Sequence, residues 1–103
     1  MNNKLKLSEA IALGSKVNSQ GFGDYISHKD GKMFTCALGA AAIAVHCRAT
    51  MTALLNFFPD LSCKIAVPEI CFYGNIFNCI WQLNDTHKWP REKIADCLAK
   101  KGY

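Results

Sequence analysis

The run Thr35–Val45, Thr-Cys-Ala-Leu-Gly-Ala-Ala-Ala-Ile-Ala-Val, constrains the fold more than any other stretch. It carries no charge and is dominated by small helix formers, so it reads as a short helix buried at the centre of the domain. Thr35 is expected as its N-cap, the hydroxyl accepting from a free amide of the first turn. Gly39 costs roughly 1 kcal/mol against Ala inside a helix. The small face of Gly39, Ala40 and Ala42 offsets this by letting a neighbouring element approach closely. The rest of the chain is then read as cover for this segment.

On the N-terminal side, Leu7–Val17 is expected to be helical, with Ser8 as N-cap and Glu9 at the positive end of the dipole. Leu7, Ala10, Ile11, Gly14 and Val17 follow the three-and-four spacing of one buried face. Phe22–Ser27 and Lys32–Thr35 flank His28-Lys29-Asp30-Gly31, whose Asp-Gly is a hairpin signal, with Phe22 and Phe34 as core anchors. A third helix follows over Ala49–Phe58, ended by Pro59, with Met51, Leu54, Leu55 and Phe58 on one face. Cys63–Val67 has the composition of a short strand, and Pro68 breaks whatever precedes it.

Tyr73–Leu83 has helical periodicity and is apolar nearly all round, the mark of a buried or interfacial helix. Pro90–Lys101 is the clearest helix. Pro90 suits its first position, Glu92 faces the dipole, Ile94, Cys97 and Leu98 form a buried stripe, and Asp96 and Lys100 stand four apart. The expected architecture is one domain over 1–103. It is α+β and predominantly helical, with about four helices around a central Ala-rich helix and one small β-hairpin.

Charge and hydropathy exclude several function classes. The net charge is +4, but the basic residues are scattered: six Lys/Arg against three acids up to Met51, then six against five. A nucleic-acid footprint requires them on one face. A helix-turn-helix outline over 73–101 would place the groove-reading role on the last helix, where Glu92 and Asp96 oppose it. Nucleic acid is therefore an unfavoured partner. The longest apolar run, Ala37–Val45, is far short of the ~20 residues that span a bilayer. Ser8 and Glu9 interrupt what would be the apolar core of a secretory signal. These features lead us to expect a cytoplasmic protein with no membrane partner.

Six cysteines, at 36, 47, 63, 71, 79 and 97, include no C-x-x-C pair. Without a secretory signal they read as small buried hydrophobes rather than disulfides. Cys71, Cys79 and His87 recur at intervals of eight, which is not the close paired spacing that pre-forms a zinc site. Catalysis has one candidate. Cys36 stands at the N-terminus of the central helix, where the dipole lowers a thiol pKa, and His28 or His46 could serve as its base. His46 and Cys47 are adjacent and point apart on a helix. Gly21-Phe22-Gly23 is only a fragment of a phosphate-binding loop and enters a strand. We expect no cofactor and no metal.

Three stretches together carry a family resemblance. Leu-Ser-Glu-Ala-Ile-Ala-Leu-Gly-Ser (7–15), Thr-Cys-Ala-Leu-Gly-Ala-Ala (35–41) and Leu-Asn-Asp-Thr-His-Lys-Trp-Pro-Arg-Glu-Lys-Ile-Ala-Asp-Cys-Leu (83–98) occur in this order. The chain thereby resembles a family of small proteins encoded in phages, prophages and bacterial genomes. The resemblance implies a mobile-element context and supplies no catalytic residues to carry over. Where it implies a close cysteine pair, this chain has Cys63 and Cys71, too far apart for a zinc knuckle.

What remains is binding. The charge-free segments 49–59 and 70–84 hold more aromatic side chains than a core of this size needs. The expectation is a non-enzymatic protein that docks on a host protein or complex, such as an inhibitor of a bacterial defence system of the anti-CRISPR kind. Phe72, Tyr73, Phe77 and Trp81 would be the contact residues, with Lys88 and Arg91 at the rim. Self-association through the same patch is the related outcome. The alternative is a small-ligand-binding protein or thiol enzyme centred on Cys36 and the hairpin.

Overall fold

A computed structural model describes residues 5–103. The chain runs α1 (Leu7–Gly14), β1 (Ser19–Gln20), β2 (Ile26–Lys29), β3 (Lys32–Thr35), α2 (Ala37–Val45) and α3 (Met51–Phe57). It continues through β4 (Lys64–Val67), β5 (Phe72–Asn75), α4 (Ile76–Trp81), a π-helical turn (Gln82–Thr86) and α5 (Arg91–Lys100). The result is an α+β fold, predominantly helical, as expected, with five α-helices among the described residues.

The Ala-rich segment is the central element. Ala37 to Ala42 of α2 are all buried. Two close approaches hold it, and both use glycine. A Cβ on Gly39 would lie 1.9 Å from the Tyr25 carbonyl oxygen, and one on Gly14 of α1 would lie 1.8 Å from the Ala40 carbonyl oxygen. Gly39 thus has the packing role its position suggests, and Gly14 has the same one. Leu7, Ala10 and Ile11 of α1, Leu54 of α3, Ile65 and Val67 of β4, Ile76 and Ile80 of α4, and Ile94 and Leu98 of α5 complete the core. Each Leu, Ile or Val among them contributes about 1.5–3 kcal/mol on full burial.

Several local expectations are corrected. Cys36, not Thr35, caps α2, its sulfur accepting from the Gly39 amide at 3.4 Å. Thr35 instead ends β3, fully buried. Helix α1 starts at Leu7, and Glu9 reaches back to the Lys6 amide at 2.8 Å, so Ser8 lies inside the helix rather than capping it. It stops at Gly14, which leaves Val17 70% exposed and off the buried face. Pro90 precedes α5 instead of opening it. The Asp96–Lys100 pair is present at 3.3 Å.

The first hairpin forms with its second strand as expected, but its first strand is Ile26–Lys29 rather than Phe22–Ser27, so His28 and Lys29 belong to the ladder and the turn is Asp30-Gly31 alone. Asp30 and Gly31 both take positive φ, 53° and 77°, the signature of a tight two-residue turn. β3 pairs with β2 on one side and runs parallel to β1 on the other, giving a three-stranded sheet in the order β1-β3-β2. Phe34 is half-buried, but Phe22 lies outside the core with 47% of its surface exposed. A second hairpin was not anticipated. β4 pairs antiparallel with β5 in the register Lys64↔Asn75 to Val67↔Phe72. It takes Tyr73, Gly74 and Asn75 out of the expected helix over Tyr73–Leu83, which starts only at Ile76.

Candidate functional site

Asn75 ends β5 and caps α4, its side-chain oxygen accepting from the Asn78 amide at 2.8 Å. The helix it starts is amphipathic after all. Ile76, Cys79, Ile80 and Leu83 are buried, while Phe77 is half-buried and Trp81 is 54% exposed on the outer side. Phe77, Trp81 and Asp85 recur every four residues, which aligns them along that outer side. The π-helical turn closes with the His87 amide donating to the Gln82 carbonyl. Within it Asp85 meets the Trp81 ring edge: the indole Nε1–H donates to Asp85 Oδ2 at 2.5 Å.

This indole–carboxylate pair belongs to two adjoining concavities. The first is a cavity of about 220 Å³ lined by Gly23, Asp24, Tyr25, Cys36, Leu38, Phe77, Trp81 and Asp85. The second is a broad open groove whose walls include Phe72, Tyr73, Asn78, Trp81 and Asp85. Tyr73 stands at its edge with 74% of its surface exposed. The structure therefore brings Phe72, Tyr73, Phe77 and Trp81 to one face.

The two basic residues expected at the rim part company. Lys88 is exposed, its ammonium 4.3 Å above the Phe22 ring and donating to the Asp85 carbonyl at 2.9 Å. Arg91 is only 4% exposed and is no rim residue. Its guanidinium donates to Asn18 Oδ1 at 2.6 Å, Thr35 Oγ1 at 2.8 Å and the carbonyls of Asn18 and Ser15 at 2.7 and 3.2 Å. A planar fork of five donors suits such a set of carbonyl and amide acceptors. Burial lowers the Arg91 pKa from its ordinary value, with Glu92 and Cys36 opposing.

Asn84, unremarked in the sequence, connects the two regions. Its Oδ1 accepts from the Ala37 amide at 3.1 Å, one of the free N–H groups at the start of α2, and from Gln20 Nε2 at 2.9 Å. Its Nδ2 donates to the Gly21 carbonyl at 3.0 Å and to Asp85 Oδ1 at 2.7 Å. The signals for this site were the four-residue interval from Trp81 to Asp85 and the adjacency of Asn84 and Asp85.

Cys36 reaches the cavity, but not as an activated thiol. Burial pushes its pKa up and outweighs the opposing effect of the Gly39 and Leu38 amides, with Asp85 adding to the rise. The lowering expected from the helix N-terminus is present in these amides but is smaller than the effect of burial. Nor is a base at hand. Among the described residues lining the cavity there is no histidine. His28 is exposed on β2, and His46 sits past the opposite end of α2, ~14 Å along the axis. The other shifted thiols, Cys47, Cys79 and Cys97, are also raised by burial. Among the described residues no group of three or more His, Cys, Asp and Glu gathers as a metal site, and no helix is long and apolar enough to cross a membrane.

No family model, no curated protein and no solved structure matches the chain. The functional reading rests on the residues themselves.

Proposed function

We propose that this chain is a non-enzymatic binding protein of the phage or mobile-element type that docks on a host protein, and that an inhibitor of a bacterial defence system is its role. One observation carries the docking reading: Tyr73 and Trp81 leave most of their surface exposed on the face that also holds Phe72 and Phe77. Trp and Tyr are the residues that most often dominate interface energetics, because they bury a large rigid area at little entropic cost. The host context comes from the sequence resemblance alone.

The alternative, a ligand-binding protein or thiol enzyme centred on Cys36, has the 220 Å³ cavity in its favour. Its enzymatic form lacks support, since burial raises the Cys36 thiol pKa and among the described residues no histidine lines that cavity.

Affinity capture from host lysate tests the docking reading, with wild type beside a Tyr73→Ser/Trp81→Leu variant whose fold is checked by circular dichroism. One stoichiometric host protein retained by the wild type and lost by the variant is the expected result. A partner held equally by both, or no partner at all, overturns it.

A further inference from the structure

We infer that the cavity between Tyr25, Phe77, Trp81 and Asp85 is the seat for an arginine side chain of the docked protein. The inference rests on the docking reading and specifies what that surface recognises. Size is the first argument. At about 220 Å³ the cavity is smaller than the roughly 300–1,000 Å³ of typical small-molecule sites, and it suits a single side chain.

The walls are the second argument. Three of the eight lining residues are aromatic, and aromatic faces carry negative potential that attracts cations. Charge is the third. The protein as a whole carries +4, yet the two charged residues lining this cavity are Asp24 and Asp85. An acidic occupant would be repelled, and a purely apolar one would cover Asp85 without replacing its lost water.

Asp85 is also held in place to receive a donor. The Trp81 indole occupies one carboxylate oxygen and the Asn84 amide the other. An ionised carboxylate has about four acceptor sites, so about two remain. A guanidinium can lie flat on a ring while its N–H groups reach such a carboxylate, which an ammonium does less well. The same surface already holds one cation against a ring, Lys88 over Phe22. The negative field of Asp85 extends to the inner wall, where it adds to burial in raising the Cys36 thiol.

Nuclear magnetic resonance titration of the ¹⁵N-labelled chain tests this without any partner. The probes are N-acetyl-arginine amide, N-acetyl-lysine amide, choline and its neutral isostere 3,3-dimethyl-1-butanol. The readout is the Trp81 indole N–H resonance and the amides of Gly23 and Leu38. The Trp89 indole, whose ring lies under Lys93 at 4.1 Å, serves as internal control.

The arginine probe is expected to give a saturable shift at millimolar concentration. The lysine probe should bind several-fold more weakly, and the neutral alcohol should give no saturable shift. Asp85→Asn, with Trp81→Leu as the second variant, should weaken the arginine probe about tenfold while leaving distant resonances in place. Equal binding of the neutral alcohol, or no saturation with arginine up to roughly 100 mM, overturns the inference. Choline binding tighter than the arginine probe overturns the assignment to a partner side chain and indicates a free quaternary amine. Since the titration involves no host protein, its failure leaves the lysate capture standing, whereas failure of the capture removes the docked partner and leaves only the arginine affinity of the cavity.

Discussion

Asp85 and Arg91 stand six residues apart and illustrate opposite uses of a charge. Arg91 turns inward, where acceptors from Ser15 at the C-cap of α1, the Asn18 loop and β3 surround its guanidinium. No carboxylate is among these hydrogen-bond partners, so dipoles hold the buried cation, with Glu92 adding a favourable charge. Asp85 faces outward, held by an indole and an amide, with acceptor capacity left for something outside the chain. The contrast separates a charge that holds the fold together from one available to a ligand. The same division runs along α4, whose inner side carries Cys79 and Ile80 and whose outer side carries Phe77 and Trp81.

The largest effect should come from the inward charge. Arg91→Leu strips donors from the carbonyls of Ser15, Asn18 and Thr35 and is expected to cost roughly 3–5 kcal/mol in urea unfolding. Arg91→Lys should recover less than half, because one ammonium cannot reproduce the fork. A loss under about 1 kcal/mol would show that Arg91 does not hold these segments together.

The inner side of α4 predicts the next effect. Burial, and then the neighbouring Cys97, push the Cys79 thiol from 9.0 up to about 11. Cys79 is fully buried. Its folded pKa is the higher one, so its contribution is fully present below pH 9 and is lost as pH rises from 9 to 11. About 2–3 kcal/mol of stability should disappear over that window, and Cys79→Ala should flatten part of the slope. An unchanged slope in the variant would assign the alkaline loss to other groups.

The outer side predicts the smallest change in stability. Tyr73→Ser should alter it by no more than about 0.5 kcal/mol, because the ring is mostly in solvent. A loss above about 1.5 kcal/mol would move Tyr73 to the structural side of the comparison.

Much of the fold was legible because local chemistry and global packing agree there. The Ala-rich run, the Asp30-Gly31 turn and the α5 stripe each carry a periodic or turn signal that tertiary structure keeps, although in α5 Ala95 is buried with Ile94 and Leu98 while Cys97 is only half-buried. The second hairpin was not legible. Phe72-Tyr73-Gly74-Asn75 has no alternation of its own, and it is a strand because β4 lies beside it. The aromatic face was found from composition. Its polar partner was missed, since Asp85 and Asn84 acquire their roles only where the π-helical turn brings them under Trp81 and against α2. Arg91 was misplaced for a similar reason. Its acceptors lie 56 to 76 residues away along the chain.

That separation has a consequence for synthesis. The chain emerges from the ribosome N-terminus first, so the apolar α2 leaves the tunnel well before Arg91, Asn84 and Gln20 can meet. During that interval the Ala37 amide lacks its Asn84 acceptor and the Ala-rich helix has only α1 and the first hairpin for cover. Non-local contacts of this kind form late and leave nascent chains exposed to aggregation. Docking of the segment that carries Arg91, which reaches back across 56 to 76 residues, is therefore expected to come late and to be the step that ties the two ends of the chain together.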